Sequence, residues 1–241
     1  MLSLKGNIVN FDDTYSGEII FGKKIKKVIR SKFNEGSDYI VPGFIDLHCH
    51  GANGFDTMDG WESIEKMSLY HLSKGTTSIL PTTWTSSFDH TFKALKEFKN
   101  YNNINTNILG VHLEGPFINP NKLGAQPPLA KNPSIEFVKK LLDVAPIKVI
   151  TLAPELDDMD DFIDKLDKLG INIQFGHSLA DYDCCKKFMK KYNIGFTHLY
   201  NAMSGNNHRN PGVLEAALEL GKYAEIICDL NHVNEACIKI A

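Results

Sequence analysis

From Gly43 onward, short apolar, β-branched runs alternate with amphipathic helical patterns, and this rhythm constrains the fold more than any other feature of the chain. The strand candidates are "GFIDLH", "TSILPT", "ILGVHLEG", "KVITLAPE", "NIQFGHS", "GFTHLYN" and "AEIICDL". Helix candidates lie between them. "FDHTFKALKEFKN" carries Phe88, Phe92, Leu95 and Phe98 as a helical stripe. "DDFIDKLDKLG" sets Phe162, Ile163, Leu166 and Leu169 on one face and closes on a glycine suited to a helix end. Pro211, followed by "GVLEAALELG", opens and closes another. Strand-helix alternation repeated seven times predicts a parallel sheet with helical crossovers. Seven βα units are one short of a closed eightfold barrel. The predicted fold class is therefore α/β, an incomplete (β/α)8 TIM barrel.

Residues 1–40 read differently. Short apolar runs are broken by Gly and charged pairs, as in "GNIVNFDD" and "GEIIFGKKIKKVI", and predict a few short antiparallel strands. The expected division is a small β-domain at 1–40 and a barrel at 41–241 that lacks its last unit. The chain has 241 residues, 43% of them apolar, enough for a sizeable core. A net charge of -3 and the absence of a dense Lys/Arg run argue against a nucleic-acid partner. The stretch "KKIKKVIRSK" is short and reads as a solvated strand edge. No apolar stretch approaches the ~18 residues of a membrane span. The N-terminus shows no signal-peptide core, so the expectation is a soluble, cytoplasmic protein. Five cysteines at this length, with no C-x-x-C, read as reduced thiols.

The chemistry gathers at strand ends. In "DLHCH", His48 and His50 lie one residue apart after an apolar run, so on a strand they project side by side. Cys49 then faces the opposite side, as a small core residue. Glu114, His177 and His198 each follow an apolar strand pattern and precede turn residues. In a barrel all strand C-terminal ends open on one face, where the active site lies. One carboxylate and two imidazoles are a common ligand set for a catalytic divalent ion. His112, two residues before Glu114, either contacts substrate or lines the barrel.

The segments "VPGFIDLHCHG", "GTTSILPT", "GVHLEGPFINPNKLGAQ", "TLAPE", "FGHS" and "THLYNAM" followed by "RNPG" resemble the N-acetylglucosamine-6-phosphate deacetylases of the amidohydrolase superfamily. The resemblance runs from about residue 40 to the end. It implies a β/α barrel flanked by a small β-sandwich, built partly from the N-terminal strands. It implies a divalent metal on Glu114, His177 and His198, zinc first, with iron or cobalt as alternatives. His48 and His50 match a pair that some members use for a second ion. Others lack the pair and work with one, so one ion and two both stay open. Asn201 and Ala202 match positions that hold the amino sugar, and Gln126 falls in a loop expected to contact it. Arg209 matches a phosphate-binding arginine that reaches a neighbouring subunit's site, which implies a homodimer. His232 matches a histidine that orients the acetyl carbonyl. The partner implied is an amino-sugar phosphate.

The family's general-base aspartate, after its eighth strand, has no counterpart in residues 1–241. Asp229 belongs to the seventh strand and does not inherit the role. The expectation is a C-terminally truncated member whose deacetylation of N-acetylglucosamine 6-phosphate is impaired. Leu230 stands where the family usually has glycine, which leaves the His232 loop the least secure part of the match. Two alternatives stand beside this reading: another amidohydrolase, such as a cyclic-amide hydrolase or deaminase, and a non-catalytic metal- or sugar-phosphate-binding fragment. Glu114, where cyclic-amide hydrolases often carry a carboxylated lysine, argues against the first. His208 carries no assignment.

Overall fold

The computed structural model describes residues 1–98 and 107–241 and divides them into two compact units, Met1–Phe44 and Ile45–Ala241. The last residues of "FDHTFKALKEFKN" lie outside the described residues.

The first unit is one four-stranded sheet. It holds β1 (Leu2–Val9), β2 (Thr14–Phe21), β3 (Ile25–Ser31) and β4 (Tyr39–Ile40), in the order β3-β2-β1-β4. β1–β2 and β2–β3 are antiparallel, as the sequence suggests, but β4 returns parallel to β1. A buried polar knot fixes that return. Asn7 donates to the carbonyls of Asn34 (2.8 Å) and Ser37 (3.2 Å), and Ser16 Oγ donates to Asn7 Oδ1. β3, from the basic stretch, is the outer strand and every residue of it is exposed. That is where lysines blunt a sheet edge.

The second unit is a curled half-barrel of parallel strands with helices packed on it. β5 (Phe44–Cys49) leads to a hairpin of β6 (Gly51–Ala52) and β7 (Phe55–Asp56), then α1 (Trp61–Leu72) and β8 (Thr76–Thr83). α2 (Phe88–Leu95) starts at Ser87, whose hydroxyl accepts from His90 N. After β9 (Asn107–Ile108) and β10 (Val111–Glu114), α3 (Ile135–Leu142) starts at Ser134, which accepts from Phe137 N. The chain continues through β11 (Ile147–Leu152), α4 (Met159–Lys168), β12 (Asn172–Phe175), α5 (Tyr182–Met189), β13 (Ile194–Phe196), α6 (Val213–Leu220) and α7 (Glu235–Ile240). The sheet order is β13-β12-β11-β10-β8-β5, with β9 beside β8. Pairing is parallel from β8 through β13.

Helix faces follow the apolar periodicity. On α4, Phe162, Ile163 and Leu166 are buried, while Leu169 caps the helix and is 40% exposed. The core is centred on Leu113, Phe117, Ile150, Phe175 and Phe196, all fully buried. Phe117 meets Phe137 and Phe162 edge to face, with ring centres 5.6 and 5.0 Å apart, the arrangement aromatic quadrupoles favour. Two expectations are corrected. Pro211 lies two positions before the first residue of α6; Gly212, between them, is its N-cap, with Glu215 accepting from Gly212 N at 2.6 Å. The seventh strand candidate "AEIICDL" forms no regular strand. It follows β13 through two backbone hydrogen bonds, Glu225 N to Phe196 O (2.8 Å) and Leu199 N to Glu225 O (2.7 Å).

Candidate metal centre

The carboxylate of Glu114, at the end of β10, is 1% exposed and ringed by four imidazoles. His177 Nε2 and His198 Nε2 lie 3.2 and 3.1 Å from its Oε1, and 3.0 Å from each other. His50 Nε2 lies 2.9 Å from its Oε2, and His48 Nε2 is 3.5 Å from Oε1 and 3.3 Å from His50 Nε2. The strand ends therefore bring Glu114, His177, His198, His48 and His50 together. They form two candidate groups, Glu114/His177/His198 and His48/His50/Glu114, which share the carboxylate.

Hydrogen bonds on the far side of each ring decide what this cage can hold. His177 Nδ1 is 2.8 Å from the carbonyl of Lys122, and His50 Nδ1 is 3.2 Å from the carbonyl of Thr82. His48 Nδ1 is 2.7 Å from Glu225 Oε2. A carbonyl or carboxylate oxygen only accepts, so each Nδ1 carries a proton. In the neutral ring Nε2 then offers a lone pair, and the lone pairs of three imidazoles face a carboxylate and one another. Acceptors at about 3 Å repel unless a proton or cation lies between them. Ligands on one tetrahedral zinc sit roughly 3.3 Å apart, from bonds of about 2.0–2.1 Å. The donor set and its spacing fit a divalent ion in the His177/His198 half, and the His48/His50 half offers the same donors. His198 Nδ1 is buried with no hydrogen-bond partner among the described residues, so its tautomer is set from the cage side alone.

The charges agree with this picture. Burial alone would raise the Glu114 carboxyl, but the imidazoles of His177, His198, His48 and His50 hold it well below the usual carboxylate range. Burial works against a charged His48, yet Glu114 and Glu225 outweigh it and push the group up to about 10. His112 goes the other way. Burial, then repulsion from His48, takes it down to about 4. Its Nδ1 faces Leu47 O (3.0 Å) and its Nε2 faces Thr151 Oγ1 (2.7 Å), with no exposure, so it lines the barrel interior.

The loops that carry His177 and His198 are strained and clamped. His177 and His198 have φ of 50° and 33°, and Tyr200 and Ala202 have 77° and 51°, left-handed values that persist in non-glycine residues only where the surroundings enforce them. The "TLAPE" motif supplies one clamp. Glu155 accepts from Ser178 Oγ (2.7 Å), Leu179 N (2.6 Å) and Asn119 Nδ2 (2.9 Å), so it holds the turn just past His177. At Gly115 (φ 70°) a side-chain Cβ would stand 2.0 Å from Thr85 Oγ1, so only glycine can follow Glu114 here.

The other sequence-derived residues are more scattered. Gln126 is buried against Glu114: its Nε2 donates to Glu114 Oε2 and its Oε1 accepts from Thr85 N at 2.7 Å. Asn201 Nδ2 turns back to the carbonyls of His198 and Leu199. Ala202 accepts from Ser178 N and packs near Gly124. Arg209 lies on an exposed stretch and makes no ion pair among the described residues. His232 is exposed, its Nδ1 2.6 Å from Asp229 Oδ2. Backbone N–H groups and the His232 ring take Asp229 down to about 2. Leu230, inside this turn, has φ 64°, a conformation glycine would adopt freely. Cys49 is buried on the opposite face of β5, with Sγ 2.9 Å from His71 Nε2; burial pushes its thiol up to about 12.

Sequence reading missed Glu225 behind His48, and Trp84, stacked on His50 with ring centres 3.6 Å apart and held by its Nε1 on Asp56 Oδ2. A carboxylate inside the apolar run "AEIICDL" was the available signal for the first. Trp84 follows β8 directly and carried no pattern that pointed to it.

Known proteins share this arrangement of strands. Residues 39–237 match the model of the Amidohydrolase family. The chain is 38% identical over 213 residues to an N-acetylglucosamine-6-phosphate deacetylase of Bacillus subtilis, covering 84% of this chain and 54% of that protein. It is 36% identical over 216 residues to the Lysinibacillus sphaericus deacetylase of the same name, covering 86% and 56%. A crystal structure of N-acetylglucosamine-6-phosphate deacetylase from Thermotoga maritima superposes with a TM-score of 0.90 at 32% identity, over 99% of this chain and 66% of that one. The chain thus spans a little over half the length of the bacterial relatives it matches.

Proposed function

We propose that this chain, which belongs to the amidohydrolase family, carries the metal-binding part of a hydrolase that removes acetate from N-acetyl-D-glucosamine 6-phosphate. The observation that carries the reading is the Glu114 carboxylate, buried within reach of four imidazole Nε2 atoms whose Nδ1 protons point away where the partner is known. Relatives at 36–38% identity that bear the deacetylase name support the substrate class.

A divalent ion in this cage would supply Lewis acidity, activating water at neutral pH and polarising the amide carbonyl. The chain's own residues take the other roles. Glu114, His177 and His198 would hold a first ion, and His48 and His50, beside Glu114, would hold a second. Zinc suits this nitrogen-rich set, with iron and cobalt as competitors. Gln126 fixes the Glu114 oxygen that faces His50. His232, oriented by Asp229, orients the acetyl carbonyl. Asn201 and the Ala202 backbone hold the amino sugar. Arg209 serves the phosphate of a neighbouring subunit in a homodimer, through the fork geometry arginine offers a phosphate. That role suits an exposed arginine with no ion pair of its own among the described residues.

Turnover by this 241-residue chain is slow in our reading. Among the described residues, the carboxylates in the cage groups are Glu114 and Glu225, one ringed by imidazoles and the other engaged by His48. Neither is free to shuttle protons, and a positioned general base contributes about 10²–10⁴-fold. The test is release of glucosamine 6-phosphate from N-acetylglucosamine 6-phosphate by the zinc-loaded chain, with Glu114→Gln as the blank. Slow, Glu114-dependent release supports the reading. Rapid turnover sinks the impairment. Zinc binding and a glucosamine 6-phosphate thermal shift without any release would leave a binding fragment instead. Preference for the galactosamine isomer would correct the substrate, since a 31% identical relative from Escherichia coli is an N-acetylgalactosamine-6-phosphate deacetylase.

A further inference from the structure

Glu225 is a carboxylate in an apolar run, and the backbone explains where it points. Its N–H donates to Phe196 O at 2.8 Å and its carbonyl accepts from Leu199 N at 2.7 Å, so it is pinned beside the stretch that carries His198. From there Oε2 reaches His48 Nδ1 at 2.7 Å, across 177 residues of sequence. Its other oxygen, Oε1, is buried without a well-formed hydrogen bond among the described residues. A buried carboxylate with one oxygen unsatisfied is a costly fixture. Burial would raise its carboxyl, but His48 foremost, with His112 and Gln174 behind it, holds the group below the usual range. The imidazole of His48 is therefore its principal partner.

The three anchored imidazoles are not anchored alike. His177 and His50 rest their Nδ1 protons on backbone carbonyls of Lys122 and Thr82. His48 rests on a full negative charge. A carboxylate behind a metal-binding imidazole locks its tautomer and ring orientation and makes the opposite nitrogen a better donor. We infer that Glu225 is a positioning residue for the second ion: it holds the Nδ1 proton of His48 and so turns the Nε2 lone pair toward His50 and Glu114. This rests on the proposal that His48 and His50 hold a second ion. It extends that proposal to a residue from a seventh stave that carries no ligand itself.

The experiment uses the 241-residue chain stripped of metal and titrated with zinc, together with NMR of the zinc-loaded, histidine-¹⁵N-labelled protein. The parent chain should take two zinc ions and show His48 with a protonated, strongly hydrogen-bonded Nδ1 and a metal-bound Nε2. Glu225→Ala should keep the first zinc at its parent affinity, which also certifies the fold. It should bind the second about 10–100-fold more weakly and lose the His48 Nδ1 proton signal. Glu225→Gln, whose amide oxygen still accepts from Nδ1, should keep that signal and fall between the two in second-zinc affinity. If the alanine variant takes both ions as the parent does and retains the signal, the inference is overturned alone. If the parent takes only one zinc, the second-ion proposal falls and the inference with it. Should the alanine variant fail to fold, Glu225→Gln decides, because an unchanged second-zinc affinity there overturns the role.

Discussion

His48 shows what a single side chain contributes to this cage. In the zinc-free protein its pKa stands at about 10, raised from 6.5. A raised folded-state pKa means stability that is full below the unfolded value and lost as pH climbs through the folded one. The zinc-free chain should therefore lose stability from about pH 6.5 to pH 10, as the His48 cation gives up its pairing with Glu114 and Glu225. Zinc needs the neutral ring, so if His48 holds the proposed second ion, its binding must expel that proton. Calorimetry in buffers of different ionisation enthalpy should find one proton released with the second zinc. Its affinity should rise about tenfold per pH unit across the same window; a flat profile would show that His48 is not a ligand. Leu230 allows a separate test. An L-residue in the left-handed region costs about 1–2 kcal/mol, and glycine gives back roughly 0.5–1 kcal/mol in unfolded-state entropy. The side chain is 64% exposed and loses little packing. Leu230→Gly should stabilise the chain by up to about 1.5 kcal/mol in urea unfolding, and a lower midpoint would contradict the strain argument.

At the scale of elements, the cage around Glu114 is made by strands that stop where their polar residue begins. β10 ends on Glu114 because Gly115 turns with φ 70° directly against Thr85. Gly115→Ala should cost about 2–5 kcal/mol, of which roughly 1–3 is overpacking and 1–2 is backbone strain. It should weaken zinc binding by displacing Glu114. Thr85→Ala removes the atom 2.0 Å away and leaves the Thr85 Cβ at 3.2 Å, so the double variant should regain the overpacking part only. Additive losses in the two-by-two cycle would refute the clash. The same strand ends explain what could be read from the sequence. An apolar run, a polar residue and a turn residue are all local, so Glu114, His177, His198, His48 and His50 could be singled out as candidates from the order of residues alone, and the structure gathers them in one cage. Glu225 was not, because the seventh stave is joined by two backbone bonds instead of a regular ladder, and its carboxylate is explained only by a ring 177 residues away. Gln126 was legible as a loop residue near the site but not as the group that holds Glu114, since that depends on how the loop folds back on Thr85. The parallel return of β4 was hidden for the same reason: it depends on Asn7 bonding to Asn34 and Ser37.

At the scale of the whole molecule, the curled sheet ends on a strand that carries exposed apolar side chains. β5 lies at one end of the strand order, with β8 on its only paired side among the described residues. Phe44, Ile45 and Leu47 on it are 66%, 64% and 41% exposed. Exposed apolar side chains clustered along a sheet edge supply a driving force for association with another chain. By contrast β3, the outer strand of the first unit, is studded with lysines. Lysines line one edge, whereas Ile45 and Leu47 stand exposed at the other. The chain should therefore self-associate through β5 at about 100 µM, a concentration at which exposed edges aggregate. Ile45→Lys should suppress this, at a cost of less than about 0.5 kcal/mol at so exposed a position. Sedimentation velocity distinguishes this from the proposed homodimer. A dimer that brings Arg209 to a neighbouring site should survive Ile45→Lys, whereas species held by the bare edge should dissolve into it. Higher oligomers that persist unchanged in Ile45→Lys would place the sticky surface elsewhere.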